Sequence, residues 1–83
     1  MTQNEETKKL NELTVGQMAI VVDVENKNLA LKRRLLDMGI TCGVHVKIKK
    51  IAPLGDPIGI ELRGYELCLR KVDMKNIKVK VMK

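Results

Sequence analysis

Cys42, His45, Glu61 and Cys68 are the side chains of this sequence whose types best suit metal chemistry. Thiolate, imidazole and carboxylate all ligate zinc or ferrous iron. Cys42 and His45 stand three positions apart, but no CxxC or HxxxH pair accompanies them. They are therefore weak metal candidates, and lone cysteines of small domains mostly serve packing. Asp56, Glu61 and Glu66 are acids near a turn, where carboxylates are usually solvated. Catalysis has less to stand on still. The chain has one histidine and no serine, hence no nucleophile elbow, and no glycine-rich loop to cradle a phosphate. An enzyme is not expected.

The elements that would position these groups are legible as short periodic runs. Residues 18–25 alternate as a first strand, with Met18, Ile20, Val22 and Val24 expected inward against Ala19, Val21 and Asp23. Asn28 can cap a helix over 29–38 by accepting a bond from an unpaired helical N–H. Leu31, Leu35 and Met38 make its inner stripe, widened by Leu36. Gly39 suits the left-handed position after the helix, with Ile40 folding back on Leu35. Residues 44–49 form a second strand that turns His45, Lys47 and Lys49 outward. A helical turn over 72–76, with Asp73 as its cap, and a last strand with Ile77, Val79 and Val81 inward complete the chain.

Residues 52–70 form its most ordered-looking stretch, with both prolines and three of the six glycines. Gly64-Tyr65 is expected as a type II′ turn. That register sets Arg63 opposite Glu66, Leu62 opposite Leu67, Glu61 opposite Cys68 and Ile60 opposite Leu69. The four apolar residues share one face, and Cys68 falls on the other. The loop leading in, 52–57, is stiffened by Pro53 and Pro57, which fix their own φ and bias the residues before them toward extended shape. Its Leu54 either caps the open end of the barrel or stands as a preorganised knob for a partner.

Five short strands with one helix between the first two describe a small, mainly β, partly open barrel, which limits exposed strand edges. The boundaries expected are a flexible tail over 1–12 and one domain over 13–83. No run reaches the ~20 apolar residues of a membrane span, and the first dozen residues lack the apolar core of a signal peptide. With two irregularly spaced cysteines, these features indicate free thiols in the cytoplasm. The net charge of +6 admits an acidic protein, an anionic membrane or nucleic acid as partner. Lys47, Lys49, Lys50, Arg63, Arg70, Lys71, Lys78 and Lys80 could line a positive stripe. However, single-strand readers need stacking platforms, and Tyr65 is the one aromatic residue. No specific nucleic acid is expected.

Residues 35–40 (LLDMGI), then Gly43 with an alternating strand, then 52–58 (APLGDPI) and 67–70 (LCLR) together resemble the ferrous iron transport protein A (FeoA) family. The resemblance runs in unbroken order from about Leu13 to Val81. It implies an SH3-like barrel with the helix between the first two strands. It also implies a cytosolic accessory of the ferrous iron permease FeoB, contacting the permease's G-protein-bearing cytosolic region and modulating transport. Membrane association would then come only through the permease, with the protein a monomer or weak oligomer. The family offers no catalytic residues to carry over. Leu54, Gly55, Asp56 and Pro57 match its motif and are nominated as the partner contact on their stiffness and apolar tip. No cofactor is fixed, a transition metal such as Fe(II) being the one to test. A metal-responsive module similar to the C-terminal domain of metal-dependent repressors is the alternative, and a small basic nucleic-acid-binding barrel trails both.

Overall fold

A computed structural model of the chain describes residues 7–25 and 27–82. Strands β1 (Thr7–Lys9), β2 (Met18–Val24), β3 (His45–Ile51), β4 (Ile58–Leu62), β5 (Tyr65–Leu69) and β6 (Ile77–Val81) form one antiparallel sheet in the order β1-β6-β2-β3-β4-β5. Helix α1 (Leu29–Asp37) links β2 to β3, and the single turn α2 (Lys71–Met74) links β5 to β6. A 3-10 turn, Leu10–Glu12, follows β1. The sheet curls around one core containing Val21, Leu35, Ile40, Val46, Ile48, Ile60, Leu62, Met74 and Val79. This is the expected mainly β, SH3-like architecture.

Helix α1 ends where its local chemistry says it should. The Asn28 side chain accepts from the Leu31 N–H at 3.0 Å, filling one vacant donor of the first turn. At the other end Gly39 takes φ +100°, and the Ile40 and Gly39 amides donate back to the Leu35 and Leu36 carbonyls. That is a Schellman closure, and it carries Ile40 into the core beside Leu35. Leu36 departs from expectation. It lies on the outward side with Leu29, and neither is in the core.

Four further expectations need correction. Residues 7–12, expected in the tail, are β1 and the 3-10 turn, with Leu10 fully buried. Thr7–Lys9 shows no apolar alternation, and it is a strand because β6 offers it an edge to pair with. Residues 1–6 of that tail lie outside the described residues.

The inward set of β2 is reversed at its start: Ala19 and Val21 are buried, while Met18 and Val22 are exposed. A register shift against β6 between Val21 and Asp23 then returns Val24 to the inside. Such a bulge inserts one residue and changes the phase of the alternation.

The hairpin turn is Arg63-Gly64 rather than Gly64-Tyr65. Both residues have positive φ, 52° and 86°, as a type I′ turn demands. Leu62 therefore pairs with Tyr65, Glu61 with Glu66, Ile60 with Leu67 and Gly59 with Cys68. Each residue of β4 meets a partner two positions earlier in β5 than expected. Because the displacement is an even number of residues, the division into two faces survives.

Finally, Asp73 does not cap α2. Arg70 is the capping residue, without a side-chain bond, and Asp73 instead meets Arg34 at 3.3 Å.

Candidate functional site

The loop over 52–57 projects where β3 turns back into β4. The Gly55 amide donates to the Ala52 carbonyl at 2.7 Å, closing a four-residue turn with Pro53 and Leu54 at its centre. Pro53 supplies the φ that the first central position wants. The Ala52 amide donates to the Pro57 carbonyl at 3.1 Å, pinning the loop's two ends together, and the Asp56–Pro57 peptide is cis. Leu54 at the tip is 96% exposed. It does not cap the barrel, so the ~1.5–3 kcal/mol that burying a leucine yields is not realised within this chain.

The loop is also tied to a distant segment. Asp56 Oδ1 accepts the backbone N–H of Lys71 at 2.8 Å. This carboxylate satisfies one of the donors that α2 leaves unpaired at its start, a service its own N-cap does not provide. Of the nominated residues, Leu54, Asp56 and Pro57 are exposed, Gly55 permits the turn at φ +90°, and Asp56 also ties the loop to Lys71.

The metal candidates do not gather. Cys42 and Cys68 are exposed free thiols, and the Cys42 thiol donates to the Val22 carbonyl at 3.4 Å. His45 and Glu61 share one shallow depression, but Met18, Lys47 and Arg63 line it with them. Glu61 forms an ion pair with Lys49 at 3.6 Å and stands opposite Glu66, not Cys68. Pairing places Cys68 level with Gly59 and Lys50, two strands across from β3 and several residues along it from His45. At ~3.3 Å per strand residue that separation exceeds 10 Å, far beyond the ~2.0–2.3 Å of a shared zinc ligand sphere. Among the described residues no three His, Cys, Asp or Glu side chains are placed to hold a metal ion. The four donors do not fit a metal centre. Nor do Asp56, Glu61 and Glu66 form a carboxylate group, since Asp56 is engaged with the Lys71 amide.

One residue of interest escaped the sequence reading. Val72, which the sequence pattern shows only as a member of a helical turn, is 58% exposed at the start of α2, immediately after the amide that Asp56 holds. The only local sign was a β-branched residue following two cations, Arg70 and Lys71.

Comparison with known proteins is consistent across sequence and structure. The FeoA domain model matches residues 8–81. A Fe(2+) transport protein A/Fe(2+) transporter FeoB fusion protein of Porphyromonas gingivalis is 32% identical over 74 residues, covering 89% of this chain and 9% of that protein. The chain thus spans only a small part of that relative. A FeoA-like protein from Clostridium acetobutylicum superposes with a TM-score of 0.87 at 37% identity, covering 100% of this chain and 92% of that one. A zinc complex of Stenotrophomonas maltophilia FeoA, described as a prokaryotic SH3 domain protein, gives 0.74 at 29% identity, with 84% and 86% covered. At the level of fold alone, a manganese-dependent transcriptional repressor gives 0.85 at 12% identity, over 96% of this chain and 44% of that one.

Proposed function

The chain belongs to the FeoA family, and on that premise we propose that it is a cytoplasmic accessory of ferrous iron uptake. In this reading it binds the cytosolic, G-protein-bearing region of a FeoB-type permease and modulates Fe(II) transport. The observation that carries it is the Porphyromonas relative, whose name joins transport protein A and FeoB in one polypeptide. Two functions joined in one chain act at one place, which supports contact between a domain of this family and the permease. Ferrous iron is then the cargo of the partner.

The contact in this reading is the 52–57 loop with Leu54 at its tip. A preorganised loop loses little conformational freedom on docking, so more of its contact energy is kept as affinity. No helix among the described residues is long and apolar enough to cross a membrane; in this reading, attachment to the membrane is through the permease.

A pull-down with the FeoB cytosolic region tests the role. Wild type and a Lys78→Ala control, altered on the exposed face of β6, are expected to be retained equally, and Leu54→Asp is expected to be lost. Retention of folded Leu54→Asp at the wild-type level would remove the loop from the contact.

The zinc complex of the Stenotrophomonas relative favours a second reading as a metal-responsive module. Anaerobic titration of the reduced protein with Fe(II) and Zn(II) separates the two. Tight stoichiometric binding that disappears in Cys42→Ala or His45→Ala would establish the metal-responsive reading.

A further inference from the structure

Leu54 is not the only apolar tip at its end of the barrel. Asp56 grips the Lys71 amide at 2.8 Å, and the Lys71 ammonium lies 3.7 Å from where a Cβ on Gly55 would stand. The loop and the first turn of α2 are therefore one unit, and they present Leu54 (96% exposed) together with Val72 (58% exposed). Arg70, Lys71 and Lys75, neighbours of Val72 in the chain, are exposed. Of the neighbouring carboxylates, Asp73 pairs with Arg34, while Asp56 is exposed and keeps its charge with one oxygen on the Lys71 amide. The surface offers apolar contact beside three exposed cations and one exposed carboxylate, Asp56.

Resting on the permease reading above, we propose that Leu54 and Val72 form one composite docking surface for an apolar side chain flanked by carboxylates on the FeoB cytosolic region. Asp56 is its positioning residue. It holds the loop against α2 through a backbone bond and does not itself meet the partner. Charge complementarity selects the occupant, because a basic rim favours acidic flanks and repels basic ones. The competing surface is the outward side of α1, where Leu29 and Leu36 are exposed beside Lys32 and Arg33. It has no counterpart to the double-proline loop and its carboxylate clamp, so the 52–57 end is the better preorganised of the two.

The test is an equilibrium titration of the full-length protein against full-length FeoB permease in lipid nanodiscs, at two ionic strengths, with each variant's fold checked by its amide NMR spectrum. Leu54→Asp and Val72→Asp are each expected to weaken binding about tenfold or more, the scale of a central interface residue. Wild-type affinity is expected to fall as salt rises. Asp56→Ala is expected to weaken binding, and Asp56→Asn to restore it, since an amide oxygen accepts the same N–H. Leu29→Ser with Leu36→Ser is expected to bind as wild type.

If Leu54→Asp and Val72→Asp both bind normally, or if only the α1 variant is impaired, the composite surface is wrong while the permease reading stands. An Asp56→Asn variant as weak as Asp56→Ala would make Asp56 a charged contact and overturn its positioning role. Wild type that fails to bind the permease overturns the permease reading and the surface with it.

Discussion

The seam between α1 and the β4–β5 hairpin and the end formed by the 52–57 loop and α2 are built with the same device and put it to different use. Each joins two elements by one side-chain bond to a backbone group. At the seam the Tyr65 hydroxyl donates to the Met38 carbonyl at the end of α1, and at the loop Asp56 accepts from the Lys71 amide at the start of α2. Each also relies on a glycine of positive φ, Gly39 in one and Gly55 in the other. Behind the seam lie Leu35, Ile40 and Leu62, all buried. At the loop the apolar residues, Leu54 and Val72, stand outside. The seam encloses its apolar residues, and the loop leaves its own in water.

The comparison can be broken most sharply with leucines. Leu35→Ala opens a hole in a packed core and is expected to cost about 2–5 kcal/mol in denaturant unfolding, whereas Leu54→Ala is expected to stay within about 0.5 kcal/mol of wild type. A loss at Leu54 as large as at Leu35 would mean the loop packs inward in solution. The glycines come next. Gly39→Ala combines left-handed strain with a Cβ only 2.6 Å from the Tyr65 hydroxyl, while a Cβ on Gly55 meets nothing closer than the Lys71 ammonium at 3.7 Å. Both are expected to lose about 1–3 kcal/mol from strain, with Gly39→Ala the worse in thermal unfolding because the hydroxyl must also move. The smallest effects belong to the bonds themselves. Tyr65→Phe leaves the Met38 carbonyl without its donor and is expected to cost about 1 kcal/mol, and Asp56→Asn, which keeps its acceptor, less than that.

What could be read from the residues was what is local. The α1 caps, Asn28 and Gly39, act within four positions of the groups they satisfy, so spacing alone reveals them. The inward sets of β3 and β6 were equally plain, because lysines mark the wet face at alternate positions. In β2 the run from Met18 to Val22 is apolar on both faces, so alternation cannot choose a phase, and the bulge that resets it exists only in the pairing with β6. The hairpin turn was misplaced because Arg63 is an unexpected residue at φ 52°. Glycine is expected at the first central position and holds the second. β1 carries no pattern of its own and is defined by its neighbour. At the candidate site, the stiffness of the 52–57 loop was evident from its prolines. The clamp of Asp56 on Lys71 spans 15 positions and could not be found from spacing, and with it the exposure of Val72 went unforeseen.

The pairing of β1 with β6 has a consequence for how such a domain is carried. Thr7 stands opposite Lys80, so the chain enters and leaves the barrel through adjacent strands. A linker attached at either side starts from nearly the same point and gives nearly the same reach. Joined to a larger protein in this way, a docking surface meets its partner at an effective concentration that reaches the millimolar range for a short flexible linker. A weak contact is then enough to hold the two together. Released as a separate protein, the same domain must supply through its own surface the affinity that the tether had made unnecessary, which places the burden of recognition on the few side chains it keeps in water.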